Sequence, residues 1–172
     1  MSKKLYDVIN ILNLKDMLNK TKQIYANKTA YEIKIEEGKY KAINHLEARN
    51  IVDYLGTALI NLGLKDKRIA IIGENSFEWE MAYLSVVCGT GTVVPIDRSL
   101  PENELRGVIK RAEVEAIFCQ DKYIETLGKI KKDEKNKLRY LISMDTLKSC
   151  GDIVSQDELI ELGRKLVHSG NR

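Results

Sequence analysis

The sequence predicts an α/β fold, with a mostly parallel sheet flanked by helices and a small β-hairpin near residues 29–43. Four short apolar segments recur about every 23 residues. An amphipathic helical pattern fills each gap between them, and a stretch of alternating apolar and polar residues precedes the series. The predicted strands span 68–72, 92–96, 115–119 and 138–142, and the predicted helices between them span 76–88, 101–112 and 121–131.

The amino-terminal part of the chain predicts a helix followed by the hairpin. The helical pattern covers Leu14 to Ala26. From Thr29 to Glu36 apolar and polar residues alternate, as in a half-buried strand, and after Glu37-Gly38 the pattern returns over Lys39 to Ile43. The order of the strands within the main sheet is not predictable from the sequence.

Two further helices have recognisable ends. Asn44 is placed to cap a helix whose apolar stripe runs from Ala48 to Leu62, and Gly63 stands where such a helix stops. The last helix is predicted over 156–168, where Ser155 and Glu158 have the spacing of a capping box.

Composition excludes several classes of protein. Hydrophobic residues make up 44% and charged residues 31% of the 172 residues, an ordinary globular balance, and the net charge of +3 is spread without a basic stripe. Nucleic acid is therefore not an expected partner. Three widely separated cysteines predict neither disulfides nor a metal site, and no apolar run approaches the ~20 residues that span a bilayer. We expect a cytoplasmic protein with no transmembrane segment.

One loop is the candidate site. Glu74, Asn75 and Ser76 follow the first parallel strand and open a helix, at the sheet edge where α/β proteins tend to bind ligands. Trp79 lies one turn further on, so these four residues are the candidate substrate-side loop. Capping of the helix is the simpler explanation for Asn75 and Ser76, and core packing is the simpler explanation for Trp79.

A second glycine-rich segment does not predict a phosphate loop. Gly89-Thr90-Gly91 leaves a helix and enters a strand, the reverse of the usual order, and no lysine accompanies it. We interpret it as a helix-ending turn. His45 and His168 lack partners at metal-site spacing. No residue is assigned to catalysis, to a cofactor or to a metal.

The order of these segments resembles AMP-forming acyl-CoA synthetases. The resemblance rests on three blocks, 67–79, 82–97 and 100–105, of which the second ends in Val-Val-Pro-Ile-Asp. The spacing of Glu74-Asn75-Ser76 to Trp79 and the segment from 156 to 166 resemble the long-chain fatty acid branch of these adenylate-forming enzymes. The resemblance implies a ligase that uses ATP, Mg²⁺ and coenzyme A, and implies loosely that such enzymes form homodimers.

The family's catalytic motifs are missing from this sequence. It has no Ser/Thr- and Gly-rich loop ending in Pro-Lys-Gly, no Tyr-Gly-x-Thr-Glu element and no Thr-Gly-Asp element. We therefore expect the amino-terminal part of a long-chain fatty acid–CoA ligase, not competent alone, that binds no cofactor itself and has the rest of the synthetase as its partner. Residues 1–13 are expected to be an extension and 14–172 one α/β domain. A complete small binding or interaction module without ligase activity is the alternative.

Overall fold

A parallel sheet forms the centre of the protein, as predicted, but it has five strands where four were predicted. The computed structural model describes residues 8–133 and 135–170, so most of the predicted 1–13 extension lies outside the described residues. The strands are β3 (Lys67–Ile72), β4 (Gly91–Pro95), β5 (Ala116–Cys119), β6 (Tyr140–Ser143) and β7 (Ile153–Ser155), after the hairpin strands β1 (Thr29–Glu36) and β2 (Lys39–Asn44). The order in the sheet is β4-β3-β5-β6-β7, and every neighbouring pair is parallel.

Helices cover both faces of this sheet. They are α1 (Leu14–Tyr25), α2 (His45–Asn61), α3 (Phe77–Ser85), α4 (Glu102–Arg111), α5 (Ile124–Lys131) and α6 (Gln156–His168). In β3, Ile69 and Ile71 pack on the face of α2 and α6, whereas Ala70 and Ile72 pack on the face of α4 and α5. Because successive side chains of a strand point to opposite faces, β3 contributes residues to two separate cores. No helix in the described ranges is both long and apolar enough to cross a bilayer.

The hairpin packs on the outer side of α2 and α3. β1 and β2 pair antiparallel, as the alternating pattern predicts. Ile43 is buried with Val52, Met81 and Leu84 in a third core. The hydroxyl of Tyr31 also donates a hydrogen bond of 2.7 Å to Glu80 Oε1, so one polar contact fixes the hairpin to α3.

The predicted helix ends are confirmed. Asn44 Oδ1 accepts from the Glu47 backbone N–H at 2.8 Å, and Glu47 Oε2 accepts from the Asn44 N–H at 2.9 Å, which is a complete capping box. Gly63 has a φ of +75°, a left-handed conformation that glycine adopts most readily. Ser155 caps α6, since its Oγ accepts from the Glu158 N–H at 3.4 Å, but the predicted capping box is only half formed because Glu158 Oε2 accepts from the Ser149 N–H.

Two element boundaries and one additional strand are the main differences from the prediction. The fourth predicted strand begins at Tyr140 because the side chain of Asn136 bonds the Leu138 N–H and holds that residue in the preceding turn. The short strand β7 was not predicted, since three residues show no periodicity. The predicted helix over 76–88 ends at Ser85 and continues as a π-turn over Val86–Thr90, in which Gly89 has a φ of +141°.

Candidate functional site

The loops that follow the parallel strands meet at the carboxyl edge of the sheet. The loop after β3 contains Glu74, the loop after β4 contains Arg98, and the loop after β5 contains Lys122. β4 and β5 flank β3 on its two sides, so their loops approach Glu74 from both sides. Topology alone therefore gathers three charged side chains from distant parts of the chain.

Glu74 is paired with both cations. Lys122 Nζ lies 3.0 Å from Glu74 Oε1, and the guanidinium of Arg98 pairs with Glu74 Oε2. The hydrogen bond from Lys122, followed by the charge of Arg98, lowers the pKa of the Glu74 carboxyl, and the same bond raises the pKa of Lys122. All three side chains are about half exposed, so the pairs orient the loops more than they stabilise the fold.

A cleft of about 430 Å³ opens beside this charged trio. Its lining residues come from the loops after β3 and β4 and from the first turn of α3: Gly73, Glu74, Asn75, Trp79, Ile96, Asp97 and Arg98. Trp79 is half-buried and stacks on Tyr83, with ring centroids 5.5 Å apart and planes 10° apart. The stacking holds the indole as one firm apolar wall of an otherwise polar cleft.

Three of the four predicted loop residues line this cleft, and one does not. Glu74, Asn75 and Trp79 are in its wall. Ser76 is not, because its hydroxyl oxygen accepts a hydrogen bond of 3.2 Å from the Trp79 backbone N–H and caps α3. The simpler explanation of capping thus describes Ser76, while Asn75 remains free to face the cleft.

The sequence interpretation missed the partners of Glu74. Arg98 and Lys122 lie directly after β4 and β5, so the rule that selected Glu74 would have selected them too. Gln120 was also missed, although its Oε1 accepts a hydrogen bond of 2.8 Å from the Glu74 N–H. The adjacent Gly73 is closely surrounded, because a Cβ at this position would lie 2.9 Å from the methyl carbon of Met144.

A hydrogen-bonded network continues this edge beneath β5 and β6. Ser143 Oγ donates to Asp121 Oδ1 at 2.5 Å, and Asp145 Oδ2 accepts from the Asp121 N–H at 2.8 Å. Ser143 is fully buried, and its oxygen also accepts from the Thr146 N–H at 2.9 Å. These bonds fix the loops that carry Lys122 and Gln120.

The edge combines charged and aromatic side chains around the cleft. It presents one carboxylate between two cations, an exposed Asp97 whose Oδ1 is occupied by Ser99, and an aromatic wall. Within residues 8–133 and 135–170, no group of three or more His, Cys, Asp or Glu side chains is arranged to hold a metal ion. Both carboxylates of the cleft are already engaged, Glu74 by Lys122 and Arg98 and Asp97 by Ser99, so the described residues do not fit a Mg²⁺–ATP site and no reaction step follows from them.

The glycine-rich segment lies at the opposite edge of the sheet. As predicted, it ends a helix: the π-turn of Val86–Thr90 leads straight into β4. A Cβ on Gly91 would lie 2.2 Å from the Lys67 carbonyl oxygen, so the second glycine serves close approach between β3 and β4.

Comparison with known proteins decides the family. The family model described as "AMP-binding enzyme" matches residues 18–162, most of the chain. The chain belongs to this family. Curated relatives include long-chain-fatty-acid–CoA ligase 5 of Rattus norvegicus, 27% identical over 73% of the chain, and long chain acyl-CoA synthetase 8 of Arabidopsis thaliana, 28% identical over 77%. The chain spans only 18% and 20% of the lengths of these two relatives.

Solved structures of adenylate-forming enzymes share the fold of this family member. The adenylation domain of a carboxylate reductase from Mycobacterium chelonae superposes with a TM-score of 0.75 at 13% identity, over 90% of this chain and 29% of that one. A long-chain-fatty-acid-CoA ligase from Archaeoglobus fulgidus gives a TM-score of 0.72 at 19% identity, over 90% of this chain and 30% of that one. The predicted α/β architecture of the amino-terminal adenylate-forming region is confirmed.

Proposed function

We propose that this chain acts as the amino-terminal part of an AMP-forming long-chain fatty acid–CoA ligase and is not competent for ligation by itself. The observation that carries the proposal is the family match over 18–162, together with curated relatives that are long-chain acyl-CoA synthetases or ligases and, in one case, a fatty acyl-CoA synthetase. In the whole enzyme the reaction would join a fatty acid to ATP, release pyrophosphate, and pass the acyl group to coenzyme A.

In this proposal the chain supplies scaffold and one wall of the substrate side. Residues 14–172 form the α/β unit, and the Glu74–Asn75–Trp79 wall borders the acyl or coenzyme A side. ATP and Mg²⁺ would be held by segments absent from this sequence, because transfer chemistry at ATP needs donors and cations placed around the developing charge. A cytoplasmic location and the rest of the synthetase as partner belong to the same proposal.

Two measurements test it. The 172-residue chain should release no pyrophosphate with Mg·ATP and a long-chain fatty acid, and calorimetry should find no micromolar binding of Mg·ATP. Co-expression with the downstream reading frame should restore fatty acid-dependent pyrophosphate release. Turnover by the chain alone would overturn the proposal.

The genomic sequence after the codon for Arg172 separates the two interpretations. Continuation into a Ser/Thr- and Gly-rich segment ending in Pro-Lys-Gly supports the ligase. A stop codon there supports a complete small α/β module instead.

We also propose that the isolated chain self-associates. Several large apolar side chains are exposed, among them Val8 at 82%, Leu12 at 76% and Leu147 at 74%. Such surface tends to be covered by a partner or by a second copy. Light scattering should show dimers at high concentration, and a clean monomer would remove the idea.

A further inference from the structure

A second cavity lies away from the carboxyl-edge cleft. It has a volume of about 710 Å³ and lies between α1, α2, the π-turn and the end of α6, where β4 begins. This volume is within the range of small-molecule sites, ~300–1,000 Å³. We call it the basic cavity. No step of the proposed ligase chemistry uses it.

Its lining carries excess positive charge. Among the described residues, the lining includes the cations Lys15, Lys22 and Arg49 and one carboxylate, Asp53. Three positive charges against one negative charge leave a formal charge of +2 with His168 neutral. A walled cavity lined mainly by one sign of charge raises the local concentration of ions of the opposite sign.

Arg49 is a fixed cation at the base of this cavity. The residue is only 5% exposed, and its Nε donates to Asn19 Oδ1 at 2.9 Å. Its Nη1 lies 2.6 Å from Asp53 Oδ1, yet is not aligned for a hydrogen bond to any of the residues described. The Asp53 side chain is 46% exposed. Water therefore competes for this carboxylate, and the pair leaves Arg49 incompletely neutralised.

Two of the cations, Lys15 and Arg49, lie near the π-turn. Lys15 Nζ lies 3.7 Å from the position that a Cβ on Gly89 would occupy. At the adjacent Cys88, burial raises the thiol pKa, whereas the charges of Arg49 and Lys15 oppose that rise and Asp53 adds to it. Lys15, Arg49 and Asp53 therefore all act on the region around Cys88.

The opposite wall is aromatic and apolar. The rings of Tyr54 and His168 lie 6.1 Å apart with a tilt of 43°. A hydrogen bond of 2.6 Å between His168 Nδ1 and the Arg164 carbonyl oxygen holds the imidazole, so Nδ1 is the donor. The exposed side chain of Ile60 also lines the cavity. This wall offers a flat surface against which a ring can pack.

We propose that the basic cavity binds a small phosphate monoester that carries a flat ring. A phosphate monoester has a charge of about −1.5 to −2 at pH 7, which matches the uncompensated charge of the lining. The phosphate sits among Lys15, Lys22 and Arg49, and the ring packs along Tyr54. The inference does not depend on the ligase proposal, because it uses neither the carboxyl-edge cleft nor any family motif.

The test titrates the 172-residue chain with phenyl phosphate, using phenol as the uncharged control. Calorimetry measures the affinity, and NMR locates the bound molecule. The double variant Lys15→Ala/Lys22→Ala removes two lining cations. The matched double variant Lys110→Ala/Lys148→Ala removes the same charge from positions that do not line the cavity. Circular dichroism checks that both variants keep the native fold.

We expect phenyl phosphate to bind with a Kd below about 1 mM and phenol not to bind. The lining variant should weaken binding about tenfold or more, because it loses charge-assisted hydrogen bonds, while the control variant stays within about twofold. Resonances of Tyr54 and His168 should shift on binding. Absence of binding, an equal loss in both variants, or shifts confined to the Glu74–Arg98 edge would each overturn the proposal.

Discussion

A single methyl group at Gly163 should destabilise the protein, although it improves helix propensity. Gly163 is buried in the middle of α6, where this helix crosses α2. A Cβ at this position would lie 1.8 Å from the Tyr54 carbonyl oxygen and 2.5 Å from the Tyr54 carbonyl carbon. The obstacle is backbone in the middle of a 17-residue helix, so no side chain can rotate to make room.

The size of the effect follows from this geometry. Close carbon–oxygen contacts lie ~3.3–3.6 Å apart, so α6 must move away from α2 by about 1.5 Å. That shift loosens the packing of Leu159, which is only 3% exposed. Overpacking costs ~1–3 kcal/mol, and the upper end applies here because the obstacle is backbone. The Gly-to-Ala gain in helix propensity offsets ~1 kcal/mol of this cost. The net loss is about 2 kcal/mol.

Gly163→Ala should therefore lower Tm by about 4–8 °C, measured by urea and thermal denaturation. The matched control is Gly128→Ala in α5, where a Cβ meets nothing within 4 Å. There the propensity gain acts alone and should stabilise the chain by up to ~1 kcal/mol. A Gly163→Ala variant as stable as the wild type would refute the argument that backbone contact, not flexibility, requires this glycine.

Three further predictions use local features of the structure. A thiol reagent at pH 8 should label Cys150 rapidly and leave Cys119 unlabelled until the chain unfolds. Cys150 is exposed, whereas burial raises the pKa of the Cys119 thiol to about 12. Equal labelling rates for the two thiols would contradict the fold of β5. Asn44→Ala should cost ~1 kcal/mol in urea denaturation, since it removes the capping box of α2, and Asn44→Asp should retain most of the stability. Asp157→Asn should stabilise the protein at pH 7 and progressively less as the pH falls towards 3.8. Burial, and then the charge of a neighbouring glutamate, raises the pKa of Asp157 in the fold, so its ionised form is the disfavoured one. A gain in stability that does not depend on pH would show that the titration of Asp157 is not the cause.

Local patterns were sufficient for the helices and for every strand except β7. The i, i+3, i+4 stripe after Asn44 and the alternation from Thr29 to Glu36 are periodicities of a single segment, and each segment folds as its period requires. Helix ends followed from the chemistry of caps such as Asn44 and Ser155. The family resemblance likewise depended on the order of local blocks along the chain, and the comparisons confirm it.

Part of the candidate site could also be predicted from the sequence. Glu74, Asn75 and Trp79 lie where a loop after a parallel strand predicts a cleft. The role of Ser76 remained open between capping and lining, because both roles use the same residue type at the same position. A hydrogen bond of 3.2 Å to the Trp79 N–H decided it.

Only the tertiary structure decided which distant residues meet. The order β4-β3-β5-β6-β7 places the loops of β4 and β5 on either side of Glu74, and so pairs it with Arg98 and Lys122 across 24 and 48 positions of sequence. The basic cavity likewise forms where α1, α2, the π-turn and α6 pack together, and Gly163 is required only because α6 crosses Tyr54. The sequence by itself determined the elements and the family, because periodicity and capping are properties of short segments. Long-range pairing depends on which buried faces fit together, and no single segment carries that information.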